Sequence, residues 1–298
     1  MISFRSHVVS LLAVFLALAV GVVLGGGPLS ELGRGATADG GTASSSAAGK
    51  DLKQATAYAD TFALSTAGRA LNHGLAGHTV VLMALPGAPD GQLNALAGLV
   101  GTAGGTVVAR YQLQSSLFDG NQGSLVDTLG SQLATMVGDK AVLTAYPRIG
   151  RLLGLATTTT TSAGAVFDTN AVSIREGLTG ADLIKPVGTP VRKGDLVIVL
   201  LGDEPPSGTG ADTLLAGLTA GLRGTASGVV VAGTAASGSS GLLADLRGNQ
   251  ALAKGVSTVD SVDTGAGQVT AVLALISALG GTAGSYGASG SDGAVALR

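Results

Sequence analysis

Three histidines, three methionines and no cysteine make up all the soft-donor side chains of this 298-residue chain. A soft or borderline metal ion needs imidazole or sulfur donors gathered at one point. His73, His78 and Met83 lie near one another in the chain and form the candidate metal set. His73 and His78 are five apart across a break, so one helix face cannot present both. Each of these residues also has an ordinary surface or core role open to it.

Phosphate chemistry has a second candidate. The Gly-rich turn from Gly233 to Gly241 lies between an apolar strand and a helix, the position at which α/β proteins hold phosphates. Gly233 and Gly238 have P-loop spacing and are followed by Ser239 and Ser240, the candidate cofactor-binding residues. The Lys that a P-loop requires before its Ser or Thr is missing, and no Rossmann fingerprint occurs. Asp203 and Glu204 follow the strongest strand, where α/β sites sit, although a Pro-flanked acidic turn also serves as a solvated loop. No HExxH or GxSxG is present and histidine is scarce, so no catalytic residue is expected and the chain reads as a non-enzyme.

The elements that must position these residues alternate between strand and helix. GHTVVLMALPGAPD gives a buried strand over Thr79–Leu85, and Asp90 stands where it could cap a helix carrying Leu93, Leu96, Ala97 and Val100. TVVARYQL from Thr106 is the next strand, and Ser124 and Asp127 have capping-box spacing at the head of a helix with Leu125, Leu129, Leu133 and Met136. Ala141–Thr144 reads as a short strand and Ala156–Ser162 as a loop or edge. Asp195–Leu201 is a continuous apolar run after its first residue, the mark of a strand buried on both faces. Gly228–Val231 and Val256–Val262 are further strands; helices follow with Leu214, Leu215, Leu218 and Leu222, then Leu242, Leu243 and Leu246, then Val269, Val272, Leu273 and Ile276. This alternation predicts an α/β, Rossmann-like parallel-sheet domain over 77–284, with a flexible Gly/Ser-rich tail over 285–298.

The front of the chain differs. Val8–Leu24 is an apolar run without a charged residue. Continued through Gly25–Gly27 it is about twenty residues long, enough to cross a hydrocarbon core of about 30 Å. It predicts an uncleaved transmembrane anchor over 1–28; a cleaved signal peptide is the alternative, but Ala17-Leu18-Ala19 lies inside the run. Arg5 keeps the N-terminus in the cytoplasm and sends the rest into the periplasm. Ala13, Ala17, Gly21 and Gly25 recur every fourth residue, a small-residue face for a homodimer or a consequence of how common Gly and Ala are.

Residues 29–76 are expected to hold a flexible linker, Gly33–Gly49, and a short helix over 50–71. Leu52, Ala55, Ala59 and Phe62 follow a three-four spacing, read either as the face that packs on the chain's own domain or as a short coiled-coil seam between two copies. A net charge of -2 gives no electrostatic footprint for nucleic acid. The lack of cysteine removes disulfides and is compatible with export.

The opening MISFRSHVVSLLAVFLALAVGVVLGGGPL, with GHTVVLMALPGA, DLVIVLLG, VSTVDSVDTGAGQVTAVLAL and the closing GGTAGSYG, resembles the mycobacterial copper transport protein MctB family, which includes the actinobacterial envelope protein SteB. The resemblance implies a single-span envelope protein linked to copper, described in the family as an outer-membrane channel, with copper as the implied ligand and an envelope protein as possible partner. It carries over no metal ligand. A lipid-facing barrel needs many alternating strands and aromatic girdles, and only 3% of these residues are aromatic. The expectation is therefore an anchored periplasmic domain that contributes to copper homeostasis, or a SteB-like scaffold of the cell wall.

Overall fold

A computed structural model describes residues 41–203, 210–249 and 254–296. The expected anchor over Val8–Leu24, its small-residue face and residue Glu204 lie outside the described residues. Among the described residues no helix is long and apolar enough to cross a membrane.

The chain divides into two units, Met1–Tyr58 and Ala59–Arg298. Helix α1 (Gly41–Leu71) begins nine residues ahead of the expected Lys50, so the linker reading of Gly33–Gly49 is corrected from Gly41 onward. Along α1, Leu52, Ala55, Ala59 and Phe62 are all exposed. Nearer its C-terminus Ala67 and Leu71 are buried.

The second unit is built on strands β1 (Thr79–Ala84), β2 (Thr106–Leu113), β3 (Ile184–Pro186), β4 (Leu196–Leu200), β5 (Gly228–Ala232), β6 (Ser257–Val259) and β7 (Ser285–Tyr286). They form one seven-stranded sheet in the order β3-β2-β1-β4-β5-β6-β7. Every pairing is parallel except β2 with β3. Chain order reverses between β1 and β4, which makes that junction the topological switch point.

Alternation along the central strands explains why both faces are covered. Val81, Met83, Val197, Val199, Val229 and Val231 point into one core, shared with α3 (Gly123–Met136), α4 (Ala145–Thr157), α5 (Thr169–Gly180), α6 (Ala211–Arg223) and α8 (Leu242–Gly248). Val80, Leu82, Leu196, Ile198, Leu200 and Val230 point into the other, shared with the end of α1, α2 (Asp90–Thr102) and α9 (Gly265–Leu279). Strands wedged between two apolar layers read as unbroken Val, Ile and Leu, as β4 does.

Some local readings are corrected. Asp90 lies in the first turn of α2, but its N-cap is Pro89 with no side-chain bond. Ser124 and Asp127 form no capping box, because α3 starts at Gly123 with Gln122 as its N-cap, which puts Ser124 inside the first turn; the Asp127 carboxylate instead accepts from Arg148 of α4 at 2.7 Å. Ala141–Thr144 is not a strand, and α4 runs into the expected loop as far as Thr157. The segment read as a tail contains β7, paired with β6, and buries Ala296.

Candidate functional site

The amino end of the sheet gathers His78, Thr79 and Asp195. His78 closes the turn after α1 with its N–H donating to Leu75 O, and β1 starts at the next residue. Asp195 immediately precedes β4, so the pairing of β1 with β4 brings the two together across 117 positions of sequence. Asp195 is fully buried, and a buried carboxylate must be hydrogen-bonded. Its Oδ1 accepts from Thr79 N at 2.6 Å and Thr79 Oγ1 at 2.8 Å, while Oδ2 faces His78 Nδ1 at 2.5 Å. The carboxylate presents acceptors, so Nδ1 is the donor of this bond, and Nε2 is the ring nitrogen on the far side from Asp195. That nitrogen has no hydrogen-bond partner among the described residues, and it is not among their buried unpaired polar atoms. With the side chain 24% exposed, Nε2 meets solvent.

The other expected metal residues lie elsewhere. Met83 is fully buried in the core on the α4 and α6 side. Five residues along a strand place it about 16 Å from His78. His73 stands exposed in the turn, with left-handed backbone at φ 53°. Among the described residues no group of three or more His, Cys, Asp or Glu could hold a metal ion.

At the carboxyl end of β6 lies a second polar cluster. Asp260 is fully buried, with Oδ1 accepting from Ser261 Oγ at 2.7 Å and Ala288 N at 2.6 Å. Its Oδ2 accepts from Arg247 Nη1 at 2.9 Å, Ser289 N at 3.0 Å and Ser289 Oγ at 2.6 Å. Burial works to raise its pKa, but the bonds from Ser289, Arg247 and Ser261 outweigh it and hold the carboxyl at about 2. Arg247 also donates to Thr258 Oγ1 at 3.0 Å, Ser289 Oγ at 2.9 Å and Tyr286 O at 2.7 Å. This network fastens the segment after β7 to the sheet. Gly287, at φ +113°, is there because a Cβ would fall on the Asp260 carboxylate.

The Gly-rich turn runs into this cluster. Thr234 caps a short helix, α7 (Ala235–Ser240), by accepting from Ser237 N at 3.4 Å, and Asp263 Oδ1 accepts from Ala235 N at 3.3 Å. A Cβ on Gly238 would lie 2.6 Å from Asp260 Cβ, and one on Gly233 would lie 3.2 Å from Ser237. Ser239 Oγ donates to Ala236 O at 3.1 Å, and Ser240 is exposed. The amides of Ala235 and Ser237 at the start of α7 are therefore taken by side-chain oxygens of this chain. At the switch point, a Cβ on Gly202 would strike Pro86 O, so the loops after β1 and β4 touch there; Asp203, one residue on, is exposed.

Sequence reading missed Asp195, Asp260, Arg247 and Ser289. Residue types alone flagged none of them, because their partners come from distant segments. The one available signal was an acidic residue bordering a strand, Asp195 before β4 and Asp260 after β6.

The family model described as "Copper transport outer membrane protein, MctB" matches residues 1–297. The chain belongs to this family. Copper transporter MctB of Mycobacterium tuberculosis (strain ATCC 25618 / H37Rv) is 31% identical over 309 residues, covering 92% of each chain. Copper transporter MctB of Mycobacterium leprae (strain TN) is 32% identical over 305 residues, again covering 92% of each. The MctB family is described by transport and not by a reaction. Its description also places it in the envelope.

Proposed function

We propose that this chain handles copper at the cell envelope as an anchored α/β domain, and that it encloses no pore by itself. The family match over residues 1–297 carries the copper assignment. The sheet supports the second part: its order ends at β3 and β7, and helices cover both faces. A membrane barrel closes on itself and turns an apolar face to lipid. The run Val8–Leu24 supplies the tether, and a single helix has no lumen. Deleting the gene should raise cell copper, and unchanged copper content would remove the assignment. Vesicles holding the purified chain alone should not release entrapped copper faster than empty ones; rapid release would overturn the pore-free half.

A scaffold role is supported by one observation. Leu52 and Tyr58 are 69% and 74% exposed on α1, and Phe62 is 59% exposed. A second copy of the chain, or an envelope protein, would cover the Leu52, Ala55, Ala59 and Phe62 seam. Phe62→Glu should then shift the detergent-solubilised chain from dimer to monomer in sedimentation; an unchanged mass would exclude that seam.

A further inference from the structure

We infer that Nε2 of His78 is a copper ligand, presented to solvent by the buried carboxylate of Asp195. This rests on the copper reading above and goes beyond it by assigning the contact to one atom. Imidazole suits copper, and a metal-binding imidazole characteristically donates its other N–H to a carboxylate, which fixes the tautomer and strengthens the donor. His78 has that arrangement before any metal arrives. Its Nδ1 is 2.5 Å from Asp195 Oδ2, and Nε2 meets solvent. Asp195 cannot swing out to bind the ion itself, because Thr79 N and Thr79 Oγ1 hold its other oxygen and the residue has no exposed surface.

His73 makes a useful contrast. It is exposed five residues away, yet it makes no side-chain hydrogen bond among the described residues, so nothing there fixes its ring. One protein donor leaves the remaining coordination positions to water or to the ligands of whatever delivers the ion. Such a site exchanges its metal, which is what transported cargo requires, whereas a closed set of donors would retain it.

The test titrates the full chain in detergent with copper(II) while recording the Cε1–H signals of its histidines, each identified by substitution. The His78 signal should broaden first and below one equivalent, and His78→Gln should remove the tightest binding while His73→Gln leaves it unchanged. Gln keeps an N–H for Asp195, so His78→Gln is expected to fold with an unaltered circular dichroism spectrum. Asp195→Asn should weaken binding about tenfold, the usual effect of losing the group behind a ligating histidine. Broadening of His73 or His7 with His78 unaffected, or equal affinity in His78→Gln, overturns the assignment. Full-strength binding in Asp195→Asn overturns the positioning role. A deletion strain with normal copper would end the copper reading while leaving the His78 titration to stand or fall on its own.

Discussion

Asp195 and Asp260 are both fully buried, one before β4 and one after β6, yet the donors around them are arranged to different ends. Asp260 receives Arg247, Ser261, Ala288 and Ser289, and its arginine is itself shared among Thr258, Ser289 and Tyr286. Its donors come from α8, from Ser261 and from the segment after β7, so the cluster's work is to hold a segment poor in large apolar side chains against the sheet. Asp195 receives Thr79 and His78, and the far side of that imidazole is left to solvent. A closed network stabilises; one with an open end presents a group. Charge burial is the same in both, so the last donor in the chain decides between the two roles.

The sharpest break in the comparison is Asp260→Ala. Removing one partner of a buried ion pair leaves the other uncompensated, at a cost of about 3–5 kcal/mol. Arg247 has only 11% of its side chain exposed, so little of its charge is solvated where it stands. Urea unfolding should register this as a large fall in midpoint, accompanied by early proteolysis after Tyr286. Gly238→Ala acts on the same cluster from the opposite side. Its new methyl would lie 2.6 Å from Asp260 Cβ, between buried atoms, and overpacking of this kind costs about 1–3 kcal/mol.

Acid tests the Asp260 network without mutation. The folded pKa of Asp260, about 2, lies below the ordinary 3.8, so its carboxylate contributes stability that is fully present above the ordinary value. That contribution, on the order of 2 kcal/mol, is lost as pH falls through the folded value. Between pH 4 and pH 2 the native chain should lose this share of its stability, and Asp260→Asn, starting lower, should show a shallower decline. Equal slopes would mean that the network does not couple to folding.

How far the sequence foretold these features depended on where the partners lie. β1, β4 and β5 were legible to within a residue or two because continuous Val, Ile and Leu between turn residues has few other uses. The expected alternation of strand and helix was legible for the same reason. The segment after Gly284 was misread as a tail because it offers almost no large apolar residue; it is ordered by backbone amides that donate to Asp260, which no hydropathy pattern encodes. Gly41–Gly49 was misread as linker from its Ser and Gly content, although Ala and neighbouring helix let the turn pattern continue. At the candidate site, His78 was flagged by residue type and Met83 by proximity in sequence. Strand alternation then buried Met83, while strand pairing supplied Asp195 from 117 positions away.

The smallest effect should come from His78→Gln, and its smallness is informative. A lost hydrogen bond to a buried carboxylate costs about 1.5–3 kcal/mol, but glutamine can still donate to Asp195 Oδ2 from a partly exposed position. Thr79 continues to satisfy Oδ1. The net loss should therefore stay below about 1 kcal/mol, within the spread of ordinary surface changes. A loss as large as that of Asp260→Ala would make His78 one more brace between β1 and β4 and would erase the distinction between the two clusters. A near-neutral melt would leave the imidazole conserving little for the fold, so that its orientation toward solvent has to be explained by what it meets there.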